Sequence, residues 1–271
     1  MLTNLQPISR EAIGPLLIQP LAAASVAFTT ATVVRTDGAT FRVPTVLEDP
    51  TAVWLAEGAE IPASDPELGE LTVTPKKIAG MVVVSRELAS DSSPAAAEVV
   101  GLGLARDIAR RIDIAFYGSL SSPAPPGLAS VSGVQTVVGP VTDIDTYAEA
   151  ISLAETVGAK ISSFAMSPAS ALSLSTVKEA TGSARPLLGT DAVEAGQRRV
   201  LGVDVTVSPS IPDGTVWGYD RTRVWTVLRQ DVQLDVDGSR YFELDSVAIR
   251  ATLRCAFAFA HPASIVKVTA A

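Results

Sequence analysis

The sequence predicts an α+β fold, in which one long helix lies between two segments rich in strands. Three observations predict it. Apolar residues recur at helical spacing over residues 94–118, short apolar runs bounded by turn residues follow residue 200, and residues 46–73 form a long loop between two strands. That loop contains no Lys or Arg, and it carries seven carboxylates: Glu48, Asp49, Glu57, Glu60, Asp65, Glu67 and Glu70. We expect so acidic a projection to lie on a neighbouring copy of the chain.

The first 85 residues are predicted to be an arm followed by strands. Pro15 and Pro20 break residues 1–30 into an extended arm with at most short helical turns. Asp37-Gly38 is a dipeptide typical of hairpin turns and lies between strand-like stretches of residues 31–46. After the acidic loop, residues 71–74 and 78–85 are predicted as strands.

Residues 94–118 give the strongest prediction of a helix. Asp91, Ser92 and Ser93 offer N-cap oxygens, and Pro94 suits the first helical turn. At a rise of 1.5 Å per residue the helix would be about 35 Å long. One apolar stripe follows it: Val100, Leu104, Ile108, Ile112 and Ala115. Off the stripe lie Arg106, Arg110 and Arg111, and Asp107 is placed to pair with Arg111 four residues later.

A second lobe begins after a loop rich in Ser, Pro and Gly at residues 119–140. Helices are predicted at residues 146–158, capped by Asp145, and at 168–178, with a short strand at 164–167. Residues 179–199 form a polar loop long enough to have a function of its own. The remaining strands are predicted at residues 203–207, 215–218, 224–228, 232–236, 248–259 and 264–268.

These elements divide the chain into five parts. They are an arm (1–30), an extended loop with its flanking strands (31–85), a segment containing the long helix (86–134), an α/β lobe (135–215), and remaining strands that belong mostly with the long helix (216–271).

The sequence predicts no catalytic, cofactor or metal site. His261 is the only histidine, and no G-x-S-x-G motif, phosphate loop or cluster of metal ligands accompanies it. Cys255 is the only cysteine and lies in an apolar run, which is typical of a buried thiol on a strand. We therefore expect a protein that is not an enzyme.

Composition limits the possible partners. The formal net charge of −8 argues against sequence-specific binding of DNA, although it allows a container that encloses DNA without gripping it. Residues 12–34 carry no charge, but their prolines and the lack of a flanking basic cluster argue against a membrane span.

The order of these parts resembles the major capsid proteins of tailed bacteriophages, whose Hong Kong 97-type fold is shared with the encapsulin nanocompartments. Matching features are S-R at residues 85–86 before the long helix, F-A-M-S-P at 164–168, G-V-D-V at 202–205 and G-Y-D at 218–220. Arg254, Pro262 and Ala263 stand where the family has its final R…P-A strand pair. The resemblance covers nearly the whole chain through this ordered set of weak motifs. It implies that residues 86–134 and most of 216–271 form the family's peripheral domain and that residues 135–215 form its axial domain.

This resemblance implies a subunit that self-assembles into an icosahedral head enclosing a double-stranded DNA genome. Its partners would be itself, in hexamers and pentamers, with a separate scaffolding protein, a portal and a decoration protein. It would be assembled in the bacterial cytoplasm and found in the virion. An axial loop with Arg185, Asp191, Arg198 and Arg199 would approach the capsomer axis, and a turn with Asp235, Asp237 and Arg240 would lie near three-fold axes. The alternative is an encapsulin-type shell around a cargo enzyme.

Two departures from the family qualify this expectation. Some members join neighbours through a bond between a loop lysine and an asparagine, whereas this loop has no lysine and the only asparagine is Asn4. The shell is therefore expected to be non-covalent. The sequence also starts directly at the arm, so scaffolding is expected from a separate protein or a portion already removed.

Contacts between neighbouring subunits are predicted from charge and apolarity. The loop residues expected to touch a neighbour are Glu48, Asp49, Trp54, Leu55, Glu57, Glu60 and Ile61, and the expected basic surface is Arg106, Arg110 and Arg111 of the long helix. Exposed ion pairs contribute only ~0–1 kcal/mol each, so Trp54, Leu55 and Ile61 should supply most of the adhesion. The alternative for the loop is a solvated segment kept soluble by its charges. For the whole chain, the alternative from a different class is a hydrolase or a ligand-binding protein.

Overall fold

The computed structural model describes residues 25–48, 50, 52–58, 60, 62–63, 67–85, 95–178 and 198–270. The helices in these residues are α1 (Val26–Thr30), α2 (Ala95–Tyr117), α3 (Ile144–Thr156) and α4 (Pro168–Ser175). The strands are β1 (Thr32–Arg35), β2 (Phe41–Glu48), β3 (Glu67–Val73), β4 (Lys76–Ser85), β5 (Gln135–Val138), β6 (Ser163–Met166), β7 (Arg198–Val200), β8 (Val203–Val207), β9 (Thr215–Tyr219), β10 (Val224–Asp237), β11 (Ser246–Phe259) and β12 (Val266–Thr269). Short 3₁₀ turns cover Leu128–Ser130, Phe242–Leu244 and Pro262–Ser264.

A four-stranded sheet in the order β1-β10-β11-β4 supports the long helix α2. Its two central strands, β10 and β11, are antiparallel and fourteen residues long each. Strand β1 runs parallel to β10, and β4 runs antiparallel to β11 on the other side. The two stretches predicted as separate strands at 224–228 and 232–236 are one strand, with irregular pairing between them.

The predicted apolar stripe fixes α2 to this sheet. Leu104, Ile108 and Ile112 are buried, and Phe116 meets Phe257 edge to face with ring centroids 5.1 Å apart. Full burial of each large apolar side chain contributes about 1.5–3 kcal/mol. The stripe therefore outweighs the low helix propensity of the two glycines within α2.

Strands β2 and β3 form a separate antiparallel hairpin, hereafter the extended hairpin. Its base packs on the four-stranded sheet, where Phe41, Leu71 and Val73 contact the cluster of Val227, Ala256 and Ala258. The pairing continues from Phe41 opposite Val73 to Glu48 opposite Glu67. At ~3.4 Å per residue, the far end of β2 lies roughly 24 Å from the base.

A six-stranded sheet in the order β5-β12-β9-β6-β8-β7 forms the second lobe. Helix α3 packs on β5 and β12, and Tyr147 of this helix meets Phe164 of β6 at a centroid distance of 5.2 Å. Strands β9 and β12 come from the last 57 residues of the chain, so the sheet extends past the division that the sequence suggested at residue 215. The main hydrophobic core contains residues of both sheets.

Several local predictions were wrong. Asp37-Gly38 does not close a hairpin, because β1 pairs with β10 and β2 pairs with β3. Helix α3 is capped by Asp143, whose carboxylate accepts a hydrogen bond from the amide of Asp145 at 3.1 Å, so Asp145 is a residue of the first turn. Helix α4 begins at Pro168, as predicted, but ends at Ser175 instead of residue 178.

Candidate assembly surfaces

The tip of the extended hairpin exposes apolar side chains. Trp54 is fully exposed, and Val53 and Leu55 are about half exposed. Glu57 and Glu60 lie in water beside them. A tryptophan buries about 150–250 Å² when it packs, so a fully exposed indole on a projecting loop is a strong candidate for contact with another molecule.

The other predicted loop contacts are less well placed. Glu48 is the last residue of β2, where its backbone pairs with Glu67. Asp49 and Ile61 lie outside the described residues. Glu70 is 3.3 Å from the guanidinium of Arg42 on the facing strand, so one of the seven carboxylates has a cation within its own hairpin.

The predicted basic surface of α2 is exposed. Arg106, Arg110 and Arg111 all face solvent. The expected pair with Asp107 is confirmed, since the Arg111 Nε donates to a carboxylate oxygen of Asp107 at 2.9 Å. Among the described residues, no hydrogen bond or ion pair joins these arginines to the tip of the same chain's hairpin.

A buried carboxylate that the sequence analysis missed anchors the end of the arm. Asp113 of α2 accepts hydrogen bonds from the Ser25 hydroxyl at 2.6 Å and from the amides of Val26 and Ala27 at 3.1 and 3.0 Å. Burial raises the pKa of Asp113, and these three hydrogen bonds oppose that rise. The only sequence signal was a carboxylate beside the apolar residue Ile112.

A second buried network continues this anchor. The hydroxyl of Tyr219 on β9 donates to Thr30 of α1 at 2.7 Å and lies 3.0 Å from the hydroxyl of Tyr117 at the end of α2. The arm, the long helix and the six-stranded sheet therefore share one polar contact inside the core.

The connection between β10 and β11 contains the residues expected near a three-fold axis. Asp235 is still within β10 and pairs with Arg250 of β11 at 2.8 Å. Asp237 accepts hydrogen bonds from the Ser239 amide and hydroxyl at 2.8 and 2.6 Å, which lower the pKa of its carboxyl group. Arg240 is exposed in the turn that follows.

The same connection exposes two large apolar residues that the sequence analysis missed. Phe242 and Leu244 are about three-quarters exposed (75% and 71%) on a short 3₁₀ turn. Backbone hydrogen bonds from Leu244 and Ser246 to the Tyr241 carbonyl hold that turn. The signal available in the sequence was an aromatic residue close to the turn Asp237-Gly238.

Two of the four predicted axial residues are in a strand rather than a loop. Arg198 and Arg199 belong to β7, because this segment pairs with β8. Arg199 donates to Asp204 at 2.7 Å across that pair. Arg185 and Asp191 lie outside the described residues.

The single cysteine and the single histidine occupy ordinary structural positions. Cys255 is buried on β11, and burial raises the pKa of its thiol to about 12. The Nδ1 atom of His261 lies 3.3 Å from the guanidinium of Arg223. Partial burial is the main cause that lowers the pKa of His261, and the positive charge of Arg223 lowers it further. Across the described ranges, no group of three His, Cys, Asp or Glu side chains is arranged to hold a metal ion. No helix in those ranges is long and apolar enough to cross a bilayer.

Comparison with known proteins gives one consistent result. The model of the phage capsid family matches residues 9–270. A chain from Microbacterium phage Oxtober96 is 21% identical over 91% of both chains, with a TM-score of 0.73. The capsid of a native GTA particle is 19% identical, covers 100% of this chain and 94% of its own, and has a TM-score of 0.71. A virus-like particle from Pyrococcus furiosus is 15% identical over 95% of this chain and 98% of its own, with a TM-score of 0.65. No curated protein matches.

Proposed function

We propose a mode of assembly for this subunit, because the chain belongs to the phage capsid family, whose members are structural proteins rather than enzymes. It is a capsid protein: copies of it form the shell, and the shell is part of the virion. The finer proposal is a non-covalent icosahedral head of hexamers and pentamers. This head would assemble in the bacterial cytoplasm with a separate scaffolding protein, a portal and a decoration protein, and would enclose double-stranded DNA.

One observation supports this mode of assembly most directly. The extended hairpin leaves the sheet by roughly 24 Å and ends in a fully exposed Trp54. The tip therefore gains burial only when another molecule covers it. In a shell built from identical copies, that molecule is the next subunit.

The acidic tip is proposed to lie against the basic surface of α2 on the next subunit. Glu57 and Glu60 are exposed on the tip. Arg106 and Arg110 are exposed on the helix, and neither forms an ion pair with another residue in the described part of its own chain. Each exposed pair contributes only ~0–1 kcal/mol, so charge would set orientation while apolar contact supplies affinity.

Charge reversal tests this contact. The double variant Arg106→Glu and Arg110→Glu should raise the protein concentration needed for assembly and weaken its dependence on salt, because the attraction it removes is screened by ions. Both quantities are measured by light scattering across a salt series. The matched control is Lys160→Glu, an exposed cation elsewhere on the subunit. Unchanged assembly and salt dependence in the double variant would refute the electrostatic part of the proposal.

The regions named by the family resemblance complete the proposal. Asp235, Asp237 and Arg240 would approach a three-fold axis, together with the exposed Phe242 and Leu244. Arg198 and Arg199 of β7, with Arg185 and Asp191, would approach the capsomer axis. The first placement predicts that the turns between β10 and β11 of three subunits contact one another. The second predicts contacts between neighbouring subunits around the capsomer axis.

The contents of purified particles separate a phage head from an encapsulin-type compartment. A net charge of −8 suits a wall that does not bind its genome tightly, because backbone phosphates would be repelled by an acidic surface. Nuclease-protected double-stranded DNA inside particles made during infection is the expected result. Particles that hold one co-purifying enzyme and no DNA would favour the alternative.

A further inference from the structure

A pocket with apolar walls lies close to the base of the extended hairpin. It has a volume of about 420 Å³ and opens between the C-terminal half of α2, the start of β4 and the loop at residues 119–125. Its walls include Ile112, Ala115, Leu120, Pro123 and Phe257. This volume is at the lower end of the roughly 300–1,000 Å³ that ligand pockets span, which leaves room for one large side chain.

The rim of this pocket is basic. Lys76, Lys77 and Arg111 line it, and no carboxylate is among its described lining residues. Arg111 forms an ion pair with Asp107, which lies one turn earlier on α2. An occupant with an apolar anchor and adjacent carboxylates would therefore match both the walls and the rim.

The chain itself contains a segment with this chemistry. At the hairpin tip, Val53, Trp54 and Leu55 are exposed, and Glu57 and Glu60 follow within six residues of Trp54. The tip cannot fill the pocket of its own chain. Trp54 is fully exposed, and the far end of β2 lies roughly 24 Å from the hairpin base near which β4 begins.

We propose that the pocket receives Trp54 of a second copy, while Lys76, Lys77 and Arg111 face Glu57 and Glu60 of that copy. The proposal rests on the shell-forming role and names the receiving site. Arg111 belongs to the basic surface of α2 already proposed to meet the acidic tip, and the other two arginines of that surface, Arg106 and Arg110, lie farther along α2, where they would attract the acidic loop beside the pocket.

The contact joins two different surfaces, a tip and a pocket near the hairpin base. An open string of such head-to-tail contacts leaves an unused tip at one end and an unused pocket at the other until the rotation closes a ring. Ring closure in fives and sixes would then follow from repeating one contact.

A disulfide between tip and pocket tests the proposal. In full-length chains carrying Cys255→Ala, Leu55→Cys is combined with Ser121→Cys, which retains Trp54 and places the second cysteine in the pocket lining. Oxidation of assembled particles should give a ladder of covalent multimers on a denaturing gel. The matched control combines Leu55→Cys with Ser173→Cys, an exposed position on α4, and should stay monomeric.

A second measurement does not depend on cross-linking. Trp54→Ala should raise the protein concentration required for assembly at least about tenfold, as expected for the loss of a central aromatic anchor, and Trp54→Phe should raise it less.

Each other outcome decides against the pocket. Particles without a ladder, or a disulfide formed within single chains, would overturn the pocket contact and leave the shell role intact. A ladder from Leu16→Cys combined with Ser121→Cys, but none from Leu55→Cys combined with Ser121→Cys, would also overturn the pocket contact, because the arm would then be the occupant. Failure of the parent chain to form particles would overturn the shell role, and the pocket proposal with it.

Discussion

A single buried carboxylate ties the arm to the body of the subunit. Asp113 satisfies the first amides of α1 and the hydroxyl of Ser25, and the partners are 86 to 88 residues away in sequence. Sequence reasoning could not find this contact, because nothing local to Asp113 indicates a distant donor. By contrast, the pair of Asp107 and Arg111 was predictable, since both members lie on one helix face.

Removing this carboxylate should destabilise the subunit. Asp113→Ala leaves buried donors without an acceptor, which costs about 1–3 kcal/mol of unfolding free energy. The measurement is urea unfolding of dissociated subunits. Asp107→Ala is the control on the same helix and should cost less than about 0.5 kcal/mol, because its ion pair is exposed. Equal losses in the two variants would contradict the anchoring role.

The same residue predicts a pH dependence with a definite sign. Burial raises the pKa of Asp113 in the folded chain, so between pH of about 4 and that raised value the folded state binds more protons than the unfolded state. Its contribution to the free energy of unfolding therefore falls as pH rises through this window. We therefore expect the free energy of unfolding of the unsubstituted chain, minus that of the Asp113→Asn variant, to decrease between pH 4 and 7. A difference that grows with pH would contradict the raised pKa.

Elements with local signals were predicted better than their partners. The apolar stripe of α2 and the start of α4 at Pro168 depend on residues that are neighbours in sequence, and both predictions are confirmed. The sheet positions of β1 and β12 depend on strands far along the chain, which a single sequence does not show. For the same reason Asp37-Gly38 was misread as a hairpin turn.

Two glycines near α2 should respond to substitution in opposite directions. A Cβ on Gly127 would collide with backbone oxygens of Ala115, Phe116 and Gly118, so Gly127→Ala must push the following turn away from the end of α2. A Cβ on Gly101, within the helix, meets nothing within 4 Å.

We expect Gly127→Ala to lower the free energy of unfolding and Gly101→Ala to raise it by about 0.5–1 kcal/mol, the difference in helix propensity. Urea unfolding of dissociated subunits measures both changes. A neutral Gly127→Ala would show that this turn does not need its close approach to the helix.

At the scale of the whole molecule, the architecture separates a closed body from parts that reach outward. One core joins the two sheets and α2, whereas the hairpin tip and the turn between β10 and β11 expose Trp54, Phe242 and Leu244. The sequence predicted the acidic tip, because seven carboxylates without a cation are visible in it. It could not predict the basic-rimmed pocket, whose walls come from α2, β4, β11 and a loop that meet only in the fold.

The most direct test is electron microscopy of particles assembled from the purified full-length chain. We expect closed shells in which each projecting hairpin crosses to the adjoining subunit and buries the Trp54 side chain there. Dispersed single subunits at high concentration, with every hairpin folded back on its own body, would contradict it.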